Sequence, residues 1–174
     1  THARLTRANI STALTTGANF SGASLGATEF GRPSLAGVNL SGTDLTEAAI
    51  DLRRQSLTTT TLTGTRLTGM NLTGSDLTGL DLRGAQLQTA NLSGANLSRV
   101  ILNRANLQGA NLTRSILTAA TLAEANLTEA SLSGAELTGT VLKAVILADA
   151  KVAGTNVSVA LPDLATVDLS GADL

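Results

Sequence analysis

The chain has no cysteine, tryptophan or tyrosine, and its 174 residues include only two phenylalanines, two prolines, one methionine and one histidine. Without cysteine there is no disulfide framework and no thiol chemistry, and either redox compartment is compatible with the fold. His2 stands beside the amino terminus, and no carboxylates cluster, so metal ligation and nucleophile–base pairs lack their parts. No catalytic residue, metal or cofactor is therefore expected, and the chain is read as a non-enzyme. Twelve basic residues nearly balance thirteen acidic ones. With neither a basic stripe nor stacking aromatics, nucleic acid is not an expected ligand. No apolar run approaches the ~18 residues of a membrane-spanning helix, and no signal-peptide pattern is present. Thr1 stands where an initiator methionine would, which fits a processed or trimmed chain; export, to a periplasm or thylakoid lumen, is favoured over the cytoplasm.

What the chain does have is a period. From Leu57 to Val157 an aliphatic residue occupies every fifth position without a miss. On an α-helix residues five apart are rotated by about 140°, which smears an apolar line around the cylinder. On a straight strand an odd period throws successive leucines to opposite faces. The chain must turn once per repeat so that each leucine re-aims at a common axis. The residue two before the leucine is small almost throughout, as at Ala85, Ala90, Ala95, Val100, Ala105, Ala110, Ser115 and Ala120, and on extended chain it shares the inward direction. The residue before the leucine is mostly Asn or Asp; the two after it are Thr or Ser, then Gly, Arg or Glu. These read as outward and corner-forming positions.

An earlier array holds Leu5, Ile10, Phe20, Leu25, Phe30, Leu35, Leu40 and Leu45, with Thr15 as its one polar centre. Between Leu45 and Leu57 the phase slips by two residues, within 46–56, and either Ile50 or Leu52 keeps a core position. A second slip of two falls at 158–163, after which Leu169 and Leu174 resume. Both insertions read as bulges or short loops at a corner.

Runs such as Ala90-Asn-Leu-Ser-Gly94 and Ala110-Asn-Leu-Thr-Arg114 resemble the A(D/N)Lxx consensus of the pentapeptide-repeat family, over about residues 3 to 174. The resemblance implies an all-β fold, a right-handed four-sided parallel β-helix forming a single domain over residues 1–174. Four pentapeptides per coil give about eight coils, a rod on the order of 40 Å long at ~4.8 Å per coil.

With twenty residues per coil, surface columns can be read directly. Asn71, Asn91, Asn111, Ser131 and Lys151 form one, expected to make corners and to hydrogen-bond along the stack. Thr58, Thr78, Ser98, Thr118 and Thr138 form another. An ice-binding face needs two threonine ranks, and only Thr61-Leu-Thr63 supplies a pair within one pentapeptide, so surface β-propensity is the plainer reading. A third column, Ile101, Thr121 and Val141, puts aliphatic groups where the repeat places Asn or Asp, and Ile116 and Ile146 do the same on other faces. These four, Ile101, Ile116, Val141 and Ile146, are the candidate partner-binding residues. Arg104 lies below Glu124, an expected cross-coil ion pair, with Arg83 below Asn103 and with Arg99 and Arg114 at nearby corners; a small anion site is conceivable there, a solvated charged edge plainer.

The leading functional expectation is a non-catalytic scaffold or protein-interaction module, its partner an unidentified protein or a second copy. The alternative is the activity best understood in the family that the chain resembles: mimicry of duplex DNA by a rod that binds a type II topoisomerase. Mimicry requires an acidic surface, whereas the central coils carry neutral Asn, and the repeat runs to Leu174 with no recognisable dimerising helix. An ice- or anion-binding surface is a further alternative.

Overall fold

In a computed structural model, residues 4–11, 15–31, 34–54, 57, 59–155 and 170 are described. Among them the chain winds as a right-handed, four-sided coil whose successive turns are joined by parallel bridges. Asn71, Asn91, Asn111, Ser131 and Lys151 are linked in turn, as are Asp81, Ile101, Thr121 and Val141. The separation is twenty residues throughout this part of the rod. Regular strands are brief because every pentapeptide ends in a corner: β1 covers Glu29–Gly31 and β2 Ala49–Ile50, paired in parallel, and a 3-10 turn covers Leu52–Arg54.

The pentapeptide Asn91–Ala95 shows how the sequence makes this shape. The Asn91 N–H donates back to the Met70 carbonyl at 2.9 Å, and the Leu92 N–H donates forward to Asn111 at 2.7 Å. The Gly94 N–H reaches Thr113 in the next coil, and the Ala95 N–H closes the corner on the Leu92 carbonyl at 3.0 Å. One donor is left, the Ser93 N–H, and the Asn91 side-chain Oδ1 accepts it at 3.1 Å. All five N–H groups are thereby satisfied, as a coil without flanking water requires. Every Asn and Asp that precedes a described central residue, from Asn9 to Asn126, makes this same bond to the N–H two residues on. Hydrogen bonding of Asn along the stack was the expectation; the bond that forms lies within the pentapeptide, because the unpaired corner N–H is nearer than the next coil's amide.

The corner turns through left-handed backbone. Glycine fills this position in many coils, but Arg99, Arg104, Arg114, Glu124 and Glu129 adopt it too, with φ between 56 and 60°. For a residue with a Cβ the left-handed region costs roughly 1–2 kcal/mol.

The interior holds the central residues and their small partners. Leu87, Leu92, Leu97, Leu102, Leu107 and Leu112 are wholly buried, each contributing roughly 1.5–3 kcal/mol. Where the small partner is polar its hydroxyl mostly bonds backbone: Thr65 donates to the Leu40 carbonyl and Thr140 to that of Leu117, whereas the buried Ser75 hydroxyl has no hydrogen-bond partner. The polar centre Thr15 is handled likewise, its hydroxyl donating to the Ser34 carbonyl at 2.6 Å.

The first phase slip appears as register. Asn39 bridges Thr61 and Asp44 bridges Arg66, twenty-two residues apart, where the coils on either side pair at twenty. Ile50 and Leu52 are both buried, at 9% and 2% exposed. The Arg53 N–H bonds the Asp51 carboxylate as in any other pentapeptide, which makes Leu52 the central residue and Ile50 its inward partner two before. The two added residues therefore lie between Leu45 and Leu52. Opposite β2, Gly31 has φ +63° and a Cβ there would come within 2.6 Å of the Ser11 Cβ, so only glycine fits this bulge. The insertion at 158–163, with Thr58, Val157, Leu169 and Leu174, lies outside the described residues, as does His2. The Asp149 N–H donates to the Ser170 carbonyl, twenty-one residues on, where the equivalent bond from Gly94 spans nineteen.

Two predictions follow from inside and cap. Leu107→Asn places an amide in the dry interior and should destabilise by several kcal/mol, whereas Thr113→Ala removes a half-buried hydroxyl 3.2 Å from that of Ser131 and should change stability by about 1 kcal/mol or less. Equal melting temperatures would overturn the inward assignment. The Asp76 carboxyl titrates below the usual aspartate range because the Thr78 hydroxyl and N–H both bond its ionised form. A depressed value means that this contribution is present above the unfolded aspartate pKa and is lost as pH falls through the lowered one. Asp76→Asn keeps the cap without the titration, so its melting temperature should fall less than the parent's between about pH 7 and about pH 3; identical acid slopes would contradict this.

Candidate functional site

Because the repeat consumes its inward groups and backbone, any site must be built from outward side chains, and the positions that break the cap rule stand out. Val141 and Ile146 are the large hydrophobic side chains most exposed among the described residues, at 38% and 40%. They occupy adjacent faces, on either side of the corner formed by Lys143 and Ala144, in consecutive pentapeptides. Ile101 and Ile116 are half-buried. Ile101 stands two coils below Val141 on one face, with Thr121 between them, while Ile116 lies on the preceding face between Asn96 and Glu136. The four residues named by the sequence are thus spread over three faces. The structure brings Val141 and Ile146 together around one edge and aligns Ile101 with Val141; Ile116 stands apart.

An aliphatic residue here gives up the Asx cap. At Thr121 the loss is made good from below: the Ala123 N–H donates to the Asn103 Oδ1 at 3.0 Å. The column reading places Asn103 above Arg83 but gives it no capping role, since it follows its leucine instead of preceding it; the non-capping Thr121 one coil on was the available signal. The Thr121 hydroxyl itself is covered by its neighbours and has no hydrogen-bond partner.

Beside this face a shallow depression of about 390 Å³ is lined by Arg83, Gly84, Asn103, Arg104, Ala123 and Glu124. Both of its cations are already answered. Arg104 meets Glu124 across the coils at 2.8 Å, as its place in the column implies, and Arg83 grips Asp81 at 2.6 Å. The hydrogen bond from Arg104 holds Glu124 below the usual glutamate range, and that from Arg83, against a smaller opposing effect of burial, lowers Asp81. The depression presents paired charge and no free anion cradle. In the Thr and Ser column Thr78 and Ser98 donate their hydroxyls to the Asp76 and Asn96 oxygens before them.

Among the described residues no group of His, Cys, Asp and Glu is spaced to hold a metal ion, and no helix is long and apolar enough to cross a membrane.

Comparison with known proteins agrees with this geometry. A family model described as pentapeptide repeats matches in eight copies, over residues 49–79, 56–94, 81–118 and 120–158. A search of curated proteins found no match. Among solved structures, HetL, a pentapeptide repeat protein involved in heterocyst differentiation regulation from the cyanobacterium Nostoc sp. strain PCC 7120, is 27% identical with a TM-score of 0.51, over 99% of this chain and 87% of that one. Full-length QnrB1, a plasmid-mediated fluoroquinolone resistance protein, is 19% identical with a TM-score of 0.60, over 99% of this chain and 91% of its own, a likeness of fold. The matched repeats cover well over half of the chain, and the protein belongs to the pentapeptide-repeat family.

Proposed function

We propose that the protein is a non-catalytic scaffold that acts by presenting an outward surface to a protein partner or to a second copy of itself. The observation that carries this reading is the exposed pair Val141 and Ile146, set where the repeat elsewhere places a capping Asn or Asp. Large aliphatic side chains exposed at this position gain the fold nothing. They forgo a hydrogen bond that Asn106, Asn111 and Asn126 make elsewhere in the rod, and they expose apolar surface to water. Ile101, aligned with Val141, extends the strip along the rod.

The topoisomerase-mimic reading draws less support. A duplex mimic presents unneutralised acid along its length, whereas here Asp44, Asp81 and Glu124 are held by Arg66, Arg83 and Arg104. The family's repeat is common to both readings and does not separate them.

The double variant Val141→Asn plus Ile146→Asn tests the proposal without harming the fold. Each Asn restores a cap, to the N–H of Lys143 and of Ala148, and should leave stability unchanged or raise it by about 1 kcal/mol. Concentration-dependent association in sedimentation velocity should be present for the parent and reduced in the variant. A parent that sediments as a single species at every concentration, or an association that the variant leaves intact, would count against this surface, and inhibition of gyrase supercoiling by the parent would favour the mimic.

A further inference from the structure

We propose that the face carrying Ile116, between Arg99 and Arg114, is a docking strip for an extended acidic segment of a partner protein, a specific form of the scaffold reading above. The two arginines occupy left-handed corners, with φ of 58 and 56°. Their stacked neighbours show what the corner itself selects: Gly79 and Ala119 flank Arg99, and Gly94 and Gly134 flank Arg114, one coil away on each side. A long cationic side chain is therefore held at two corners where the coils on either side carry only glycine or alanine.

The third arginine of this stretch supplies the contrast. Arg104 also sits at a left-handed corner, and the coil above it answers with Glu124. Nothing answers the other two. Both are exposed, and neither makes an ion pair among the described residues. Arg99 closes the Asn96–Ser98 segment of this face and Arg114 opens the Ile116–Thr118 segment of the next coil, so they stand diagonally across it with Ile116 between. Asp76 and Glu136, one coil beyond on each side, bound the strip and confine an acidic chain to these two coils.

The dimensions select the partner's chemistry. Three extended residues span the face and the arginines lie one coil apart, so their backbone positions are about 11 Å apart, and their long side chains can reach carboxylates four residues apart, ~13 Å at ~3.3 Å per residue, on an extended chain. The matching pattern is carboxylate, any residue, aliphatic, any residue, carboxylate, with all three named side chains on one side of the strand. Guanidinium forks take each carboxylate bidentately, and Ile116 receives the aliphatic group.

The probe is the fluorescein-labelled peptide GSETVTEGS, followed by anisotropy on the full chain, with GSQTVTQGS as its neutral counterpart. The acidic peptide should bind, with affinity that weakens several-fold from low to high salt, and the neutral one at least tenfold more weakly. Arg99→Gly plus Arg114→Gly should lose about tenfold in affinity while melting no lower than the parent, because glycine suits both corners. Ile116→Asn should weaken binding by a smaller factor at unchanged salt dependence. The proposal is overturned if the acidic peptide does not bind, if the double glycine variant binds it as tightly as the parent, or if heparin displaces it equally well from parent and Ile116→Asn, which would mark an unselective anionic edge. Failure here with an intact effect of the Val141 and Ile146 substitutions removes this strip alone; failure of those substitutions with peptide binding retained removes the other surface.

Discussion

Everything in this molecule depends on the hydrogen bonding of each coil to the next, at a separation of twenty residues that becomes twenty-two at the first phase slip. A chain that turns every five residues has no helix ladder and no long strand in which to satisfy its peptide groups. The only partners available are the equivalent groups one coil away, together with a corner bond and a side-chain cap. Once this register is imposed, the leucines stack on leucines and the dry interior follows. The corners must also turn through left-handed backbone, which sets the cost of any residue but glycine there.

The interior of the central coils was legible in the sequence because one residue type reports it at every repeat, whereas Leu5, Ile10, Phe20 and Val152, nearer the ends of the array, hold central positions yet are only partly buried. The aliphatic period from Leu62 to Leu147 names buried side chains, and even Thr15, the odd centre, takes its place by bonding a carbonyl. The preference for Asn and Asp was legible as a pattern, but its cause was not. Several acceptors compete for an amide on paper, and only the geometry shows that the N–H two residues on is the one left unsatisfied. That bond also decides between Ile50 and Leu52, which hydrophobicity could not, since the insertion lets both turn inward.

The surface was legible in outline only. Columns twenty apart predicted the Arg104–Glu124 contact, which forms. The grip of Arg83 on Asp81, two residues away on its own coil, did not emerge from columns, because stacking says nothing about neighbours along the chain. Asn103 as a surrogate cap for Ala123 was hidden for a similar reason: its role depends on what the coil above lacks. A uniform interior also separates stability from recognition. The outward positions are free to depart from the repeat, and departures that cost the fold something, such as aliphatic residues without caps or arginines at left-handed corners, carry information that the repeat itself cannot.

Native-state amide hydrogen exchange followed by NMR tests the register and cap account most directly. The account predicts slow exchange at the leucine amides of successive coils, with a five-residue period that shifts phase by two between Leu45 and Leu52. It further predicts protection at Ser93 and Thr113, whose N–H groups are capped by Asn91 and Asn111, and at Ala123, capped by Asn103, with faster exchange at Asn103 and Thr118, which follow Ile101 and Ile116. Protection without a five-residue period, or Asn103 and Thr118 as slow as Ser93 and Thr113, would contradict it.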